Sequence, residues 1–194
     1  GTGKTVISAF DFRRFYKNKP TAKFLYVAHR EEILKQARAT FRAVLRTSSF
    51  GELWVGGSEP AHFNQLFVSV QTLRNRIDQL TLTADYFDFI IIDEVHHIAA
   101  DSYRPILSRF SPKILLGLTA TPERHDGTDI REDFGGVIAA ELRLPEAINR
   151  RYLCPFQYFG VDDSVDLSNV QWVKGRYLPS ELTKVYLAND QRIG

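Results

Sequence analysis

Two short segments of the sequence carry side chains that could bind and hydrolyse a nucleotide. The chain begins Gly-Thr-Gly-Lys-Thr at residues 1–5, and a later apolar run ends in Asp93 and Glu94. A glycine-rich turn of this kind can direct backbone N–H groups and an ammonium at phosphates, while the threonine hydroxyl binds Mg²⁺. A strand that ends in two carboxylates can supply a ligand for the metal and a base for water. Together the two segments predict an ATP-hydrolysing motor.

The glycine-rich turn lacks part of its usual pattern. If Gly3 is the second glycine of G-x-x-x-x-G-K-[ST], the first glycine precedes residue 1, as does the strand that leads into the loop. The chain also contains no methionine. We therefore expect an internal piece of a longer protein whose nucleotide site is incomplete by itself.

Apolar runs alternate with helical patterns along the first 150 residues. A helix is expected over about 4–16, with Val6, Ile7 and Phe10 facing inward, and an amphipathic helix over 31–46. Continuous apolar strands separated by helices indicate an α/β fold, with a mostly parallel sheet covered by helices on both faces. Ligands bind such sheets at the carboxyl ends of the strands. The expected strands lie at 23–28, 53–55, 66–70, 87–92 and 113–118.

The pattern changes beyond residue 145. Short helices are expected over 145–151 and 180–187, with an aromatic-rich extended segment over 155–161 and irregular structure between. We expect residues 1–150 to form a nucleotide-binding domain and residues 151–194 to be an exit segment toward another domain.

Composition indicates one domain of ordinary size in a reducing compartment. With 194 residues and 44% hydrophobic side chains, the chain can bury one core. No apolar run approaches the roughly 18 residues of a membrane span, so no membrane partner is expected. The single Cys154 excludes an intrachain disulfide and is expected to be a buried structural thiol. We predict a cytoplasmic protein.

The charges are unevenly distributed although the net charge is only +2. Residues 1–50 hold 11 Lys and Arg against 3 Asp and Glu, whereas the remainder holds 14 against 20. This asymmetry is typical of a region that faces a polyanion, and a solvated basic face is the alternative. A basic stripe on the second expected helix is interpreted as such a solvated face. It consists of Lys35, Arg38, Arg42 and Arg46.

Five ordered blocks resemble the motifs of a superfamily 2 helicase or translocase, in its first RecA-like domain. The resemblance covers residues 1 to about 160. Within the superfamily, Thr119–Arg124 followed by Asp126 and Gly127 resembles bacterial DNA-directed members related to restriction-enzyme motor subunits and excision-repair helicases. The blocks similar to motifs I, Ia, Ib, II (in its DExH form) and III are Gly1–Thr5, Val27–Leu34, Val68–Leu73, Asp93–His96 and Gly117–Pro122.

The resemblance implies roles for the matched side chains at a nucleotide, with ATP and Mg²⁺ as cofactors. Lys4 would neutralise charge on the β- and γ-phosphates, while Thr5 and Asp93 would hold Mg²⁺. Glu94 would orient or deprotonate the attacking water, and His96 would link the γ-phosphate site to motif III. The loop residues implied to bind ATP are Gly1, Thr2, Gly3, Lys4 and Thr5.

The resemblance also implies contacts to a nucleic-acid strand. His29 and Arg30 follow one expected strand, where arginine side chains and helix N-terminal N–H groups can contact phosphates. Gln71 and Thr72 occupy the equivalent place after another strand. We interpret both pairs as backbone contacts with little base specificity. The residues alone leave DNA and RNA open, whereas the finer resemblance to bacterial members favours DNA.

The threonines of the last block are implied to couple hydrolysis to domain movement. These are Thr119 and Thr121. The resemblance implies a second RecA-like domain in cis, whose arginines would stabilise the transition state. Without such a domain, the 194 residues alone are expected to be inactive.

Simpler interpretations exist for single residues. Taken alone, Asp93 could cap the following helix, and Thr119 and Thr121 could be ordinary turn formers. The adjacent His96 and His97 could suggest zinc, but adjacent side chains point apart.

Two other functions are weighed against the motor. One is a nucleotide switch or DNA-binding module that does not translocate. The other, an unrelated P-loop kinase or transporter ATPase, is disfavoured by the spelling of the blocks at residues 93–96 and 119–122.

Overall fold

The computed structural model describes residues 3–57, 59–95, 100–120, 130–159, 166–173 and 176–187. The chain divides into two compact units, Gly1–Leu153 and Cys154–Gly194. The assignment of residues 151–194 as an exit segment stays a prediction.

A five-stranded parallel sheet forms the centre of the first unit, in the order β2-β3-β1-β4-β5. Each neighbouring pair is parallel, so the five carboxyl ends lie at one edge of the sheet. The expected parallel sheet is confirmed, with strand limits that differ by one or two residues. The strands are β1 Phe24–Ala28, β2 Glu52–Trp54, β3 Gln65–Ser69, β4 Phe89–Ile92 and β5 Ile114–Gly117.

Helices cover both faces of this sheet, as expected for strands that are apolar on both sides. Helices α1 (Lys4–Asn18) and α2 (Glu31–Leu45) pack on one face through a core that includes many aromatic rings. Helices α3 (Val70–Arg76) and α4 (Ala100–Arg109) pack on the other face over aliphatic strand residues. A short helix, α5 (Leu144–Asn149), follows in the same unit.

The inward face expected for α1 is wrong. Val6, Ile7 and Phe10 are 42%, 63% and 49% exposed, whereas Phe12 is fully buried. At about 100° per residue, these three side chains lie on the side of the helix opposite Phe12. The Phe12 ring lies within 4.4 to 6.1 Å of four aromatic rings of the core. Because this contact fixes the rotation of the helix, the small Ser8 and Ala9 face the sheet with Phe12.

A buried carboxylate joins several elements at the amino edge of the sheet. Asp88, which precedes β4, accepts hydrogen bonds from Lys19 Nζ at 2.6 Å and from the Lys23 N–H at 3.0 Å. Lys113 Nζ, before β5, lies 3.1 Å from the same carboxylate. Desolvation favours the neutral acid, but these three donors outweigh it and lower the pKa of Asp88 to about 2.

The second unit contains an antiparallel pair, β6 (Trp172–Val173) and β7 (Arg176–Tyr177), followed by α6 (Pro179–Leu187). Helix α6 was expected, but the two-residue strands carry too short a pattern to be predicted. They are joined by the edge-to-face contact of Trp172 with Tyr177.

Cys154 is exposed, contrary to the expectation of a buried thiol. It lies in a segment without regular secondary structure, and residues 155–159, expected to be extended, are exposed as well. Among the described residues, no helix has the length and apolar character needed to cross a membrane.

Candidate functional site at the carboxyl edge of the sheet

The residues expected to bind ligands converge on the carboxyl edge of the parallel sheet. His29 follows β1, Gln71 follows β3, Asp93 follows β4 and Thr119 follows β5. The register pairs the last residues of these strands, so the segments that leave them are neighbours. Four further expected site residues, Gly1, Thr2, His96 and Thr121, lie outside the described residues.

The glycine-rich turn leads directly into α1. Gly3 has a φ of +82°, which glycine adopts without steric cost, and no neighbouring atom lies within 4 Å of a Cβ placed there. Backbone conformation and not packing therefore favours glycine at this position. Lys4 and Thr5 form the first turn of α1 and are half-buried. The turn thus places an ammonium and a hydroxyl at the start of the helix.

Asp93 is held at the end of β4 by its backbone and by its side chain. Its N–H donates to the Val27 carbonyl at 2.8 Å, and the residue is only 4% exposed. Oδ2 accepts the Tyr26 hydroxyl at 2.5 Å, and Oδ1 accepts the Glu94 N–H at 2.9 Å. Both carboxylate oxygens therefore have a donor from the protein, and a carboxylate still keeps further lone pairs for a ligand.

The electrostatics of Asp93 reflect its burial next to a cation. Desolvation is the largest effect and raises the pKa of Asp93, and the negative charge of Glu94 acts in the same direction. The hydrogen bonds from Tyr26 and Glu94 and the positive charge of Lys4 lower it. The charge of Lys4 thus acts on Asp93, although the two residues lie 89 positions apart in the sequence.

Glu94 has a backbone conformation that is uncommon for a residue with a side chain. Its φ is +50°, in the left-handed region. The turn is fixed on both sides, because the Asp93 N–H bonds to β1 and the Val95 N–H donates to the Leu118 carbonyl at 3.1 Å. Strain held in place by surrounding hydrogen bonds is common at functional sites.

Two of the residues expected to contact nucleic acid touch one another. Gln71 Nε2 lies 2.8 Å from His29 Nδ1, and both side chains are exposed. Arg30 is exposed beside them, at the N-cap of α2. Side chains that follow β1 and β3 thus form one polar surface. Their contact with nucleic acid stays a prediction.

Thr72, the fourth of these residues, is mostly buried. Its hydroxyl oxygen accepts from the Gly56 N–H at 3.2 Å and from the Ser69 hydroxyl at 2.7 Å. Ser69 in turn caps α3 by accepting the Thr72 N–H. The Thr72 hydroxyl keeps one proton to donate. These residues border a polar cavity of about 330 Å³, which is lined by Gly56, Ser69, Gln71, Thr72, Asn75 and Arg76.

Thr119 is half-buried just beyond β5. The strand is covered there by a 3-10 turn at Ile130–Phe134, whose Phe134 ring approaches Gly117. A Cβ at Gly117 would lie 2.9 Å from that ring, so any larger residue there would force the ring to move. Leu118 and Ile130 are both buried, whereas Thr121 lies outside the described residues.

Two of the four residues in the basic stripe of α2 have partners within the protein. The Arg42 guanidinium donates to the carbonyls of Phe50 and Gly51 at 2.7 and 3.0 Å, and Lys35 pairs with Glu31. The interpretation of the stripe as a solvated face stays a prediction.

Tyr26 is the site residue that sequence reasoning missed. The sequence identifies it only as part of a buried strand. The signal that could have revealed it is a phenol in the middle of an apolar strand, because a buried tyrosine hydroxyl usually needs a hydrogen-bond partner. Here that partner is Asp93 on the neighbouring strand, which is far away in sequence.

The side chains present fit a hard divalent cation bound together with phosphates. The described residues contain no cluster of three or more His, Cys, Asp or Glu that could hold a metal by itself. Mg²⁺ commonly uses one or two carboxylates and completes its shell with water and phosphate oxygens. The carboxylate of Asp93 and the hydroxyl of Thr5, in the first turn of α1, offer oxygen atoms of the kind that Mg²⁺ binds.

Comparison with known families assigns the chain to one of them. The family model described as type III restriction enzyme, res subunit, matches residues 1–124. The chain belongs to this family. The match includes the described parts of the candidate site, from Gly3 to Thr119.

Individual proteins show the same likeness. "Putative helicase 22" of the Sulfolobus islandicus filamentous virus (isolate Iceland/Hveragerdi) is 32% identical over 168 residues, or 81% of this chain and 30% of that protein. The Hef helicase domain of Pyrococcus furiosus is a structural neighbour with a TM-score of 0.58 and 21% identity, over 70% of this chain and 31% of that one.

A second structural neighbour is a nuclease-deletion mutant of the Type ISP restriction-modification enzyme LlaGI, in complex with a DNA substrate mimic. Its TM-score is 0.58 at 18% identity, over 78% of this chain and 18% of that one. The chain thus spans less than a third of each of these proteins. The family match and the fold identify a helicase-like domain with RecA-like architecture, and the resemblance seen in the motifs is confirmed.

Proposed function

We propose that this chain is the first motor domain of an ATP-dependent helicase or translocase that moves along nucleic acid. The observation that carries the proposal is the convergence at one sheet edge of an ammonium, a hydroxyl and two carboxylates, supplied by Lys4, Thr5, Asp93 and Glu94. The family match supports the proposal.

The roles of the nucleotide-site residues follow from their chemistry. Lys4 and the N–H groups of the turn bind the phosphates of ATP, and Thr5 and Asp93 hold Mg²⁺. The cation, when bound, neutralises charge on the phosphate oxygens. Glu94, beyond the end of β4, orients the attacking water and accepts its proton. His96, which the resemblance implies links the γ-phosphate site to motif III, completes the proposed site.

The nucleic-acid strand binds along the same edge, over the segments that follow β1 and β3. His29, Arg30, Gln71 and Thr72 contact its phosphates and sugars, which gives affinity without base specificity. Thr119 and Thr121 transmit the state of the nucleotide to the partner domain. The match to restriction-enzyme subunits favours DNA over RNA. The likeness to an enzyme bound to a DNA substrate mimic also supports DNA.

Full activity requires a second RecA-like domain in cis. Arginines from that domain stabilise charge in the transition state, so the 194 residues alone should bind nucleotide poorly and turn it over very slowly. The share of each relative that this chain spans is consistent with further domains. We propose a bacterial cytoplasmic location for the full protein, which suits the single cysteine among these 194 residues.

ATP hydrolysis by a longer protein that carries this chain tests the proposal. Turnover is measured with no polymer and with duplex DNA, single-stranded DNA or RNA, for the wild type and for Glu94→Gln. Stimulation by one polymer that Glu94→Gln abolishes, with the 194 residues alone nearly inactive, is the expected result.

Other outcomes would count against it. Nucleotide binding without stimulated turnover would favour a switch module that does not translocate. Rapid turnover by the 194 residues alone would contradict the need for a second domain. Stimulation by RNA but not by DNA would overturn the choice of track.

A further inference from the structure

Tyr26 contacts Asp93, a side chain proposed as a ligand of the cation, and nothing in the sequence motifs assigns it a role. Its side chain lies on the face of the sheet that α1 covers, together with those of Phe24 and Ile91. The Tyr26 hydroxyl donates to Asp93 Oδ2 at 2.5 Å.

The geometry of this hydrogen bond has a consequence for ligand binding. Asp93 receives one donor on each oxygen, Tyr26 on Oδ2 and the Glu94 N–H on Oδ1, and this fixes the rotation of its carboxylate. Each carboxylate oxygen keeps a further lone pair, so the two donors orient the group without blocking it for a ligand.

We propose that Tyr26 is a positioning residue for the metal–nucleotide site, in which its phenol fixes the orientation of the Asp93 carboxylate. This inference rests on the proposed function. The phenol on β1 is hydrogen-bonded to the residue that follows β4, the neighbouring strand of the sheet. Partners that orient metal ligands in this way typically contribute about 10- to 100-fold to metal affinity.

Packing alone does not require the hydroxyl. The Tyr26 ring is stacked on Phe67 with centroids 5.4 Å apart and meets Phe41 edge-on at 5.8 Å. A phenylalanine ring makes both contacts equally well. The core around the ring would therefore tolerate Tyr26→Phe, and the variant removes only the hydrogen bond to Asp93.

Nucleotide affinity with and without the cation tests the proposal in the full protein that carries this chain. Calorimetry measures the Kd of a non-hydrolysable ATP analogue, first with Mg²⁺ and then with EDTA. For Tyr26→Phe, we expect the affinity with Mg²⁺ to fall about 10- to 100-fold and the affinity in EDTA to stay unchanged. The metal-free affinity depends on Lys4 and the turn, which do not involve the phenol.

Two matched variants separate positioning from general damage. Tyr86→Phe removes another phenol, which donates to Asn64 Oδ1 at 3.2 Å away from the site, and should change neither affinity. In an Asp93→Asn background, Tyr26→Phe should have a much smaller effect, because residues that act through one another are not additive. Thermal unfolding of each variant checks that it is folded.

Each remaining outcome decides against the proposal. If the wild type binds the analogue more tightly with Mg²⁺ and Tyr26→Phe keeps that advantage, Tyr26 has no positioning role and the proposed function stands. Equal losses with Mg²⁺ and with EDTA would indicate a general structural effect. If the wild type shows no advantage with Mg²⁺, the proposed function fails and this inference fails with it.

Discussion

Glu94, whose carboxylate is proposed to be catalytic, has a backbone conformation that is unfavourable for a residue with a side chain. The left-handed conformation at φ +50° costs a residue with a Cβ about 1 kcal/mol relative to glycine. Glu94→Gly and Glu94→Ala both remove the side chain, but only glycine relieves the strain. We therefore predict that Glu94→Gly has a free energy of unfolding about 1 kcal/mol higher than Glu94→Ala in urea denaturation.

A helical position provides the control for this comparison. At Glu32, an exposed residue in the first turn of α2, the order should reverse, with glycine less stable than alanine by up to about 1 kcal/mol. If glycine is less stable than alanine at position 94 as well, the backbone at Glu94 is not strained. Both Glu94 variants should be inactive in ATP hydrolysis, so stability and catalysis would separate at one residue.

The sequence reveals site residues when their spacing is local. Lys4 and Thr5 belong to one turn, and Asp93 and Glu94 end one apolar run, so each pair can be recognised without a structure. Tyr26 differs because its role depends on the pairing of β1 with β4, which brings together residues that are distant in sequence. No local pattern in the sequence predicts which strands become neighbours in the sheet.

Among the secondary-structure elements, α1 shows where periodicity fails. Its apolar residues surround much of the helix, so the sequence allows more than one inward face. The aromatic cluster around Phe12 decides the orientation, and that cluster combines residues from α1, α2, β1, β3 and β4. Helix α2, with a single apolar arc, was predicted correctly in position. The strands were predictable because all are short apolar runs.

Asp88 connects three elements through charge, and its effect on stability should depend on pH. Because the pKa of Asp88 is lowered to about 2 in the folded protein, the ionised form binds its three donors more tightly than the neutral acid does. Its side chain is only 7% exposed, so solvent screens these contacts little. Asp88→Asn should therefore lower the free energy of unfolding at pH 7 by about 2 kcal/mol.

The sign of the pH dependence follows from the lowered pKa. The contribution of Asp88 is complete above the pKa of an unfolded aspartate, about 3.9, and is lost as the pH falls through about 2. Urea denaturation between pH 7 and pH 2 should show the wild type and Asp88→Asn converging in acid. Asp85→Asn, at an exposed position nearby, is the control. A difference that persists unchanged at pH 2 would contradict the assignment.

The amino and carboxyl edges of the parallel sheet carry polar groups with different uses. At the amino edge, Lys19 and Lys113 neutralise Asp88 and hold the ends of elements together. At the carboxyl edge lie the polar groups that follow the strands, where a nucleotide and a nucleic-acid strand are proposed to bind. On this proposal, the basic excess of residues 1–50 is divided between stabilising contacts and a binding surface. Composition alone cannot distinguish the two uses.

The salt dependence of nucleic-acid binding tests whether a given basic residue belongs to the proposed binding surface. Arg30, exposed at the carboxyl edge, should contact one phosphate, whereas Lys17 is exposed in the last turn of α1, near the amino edge. Each contact releases counterions, so the slope of log K against log salt should fall in magnitude by about 0.7–0.9 for Arg30→Ala. Lys17→Ala removes the same charge and should leave the slope unchanged.

Fluorescence anisotropy with labelled DNA between 50 and 200 mM salt, in the longer protein, measures the slope for both variants. Equal changes for the two variants would mean that net charge, and not the carboxyl edge, determines binding. Because the two substitutions alter the total charge identically, only the position of the side chain can produce a difference between them.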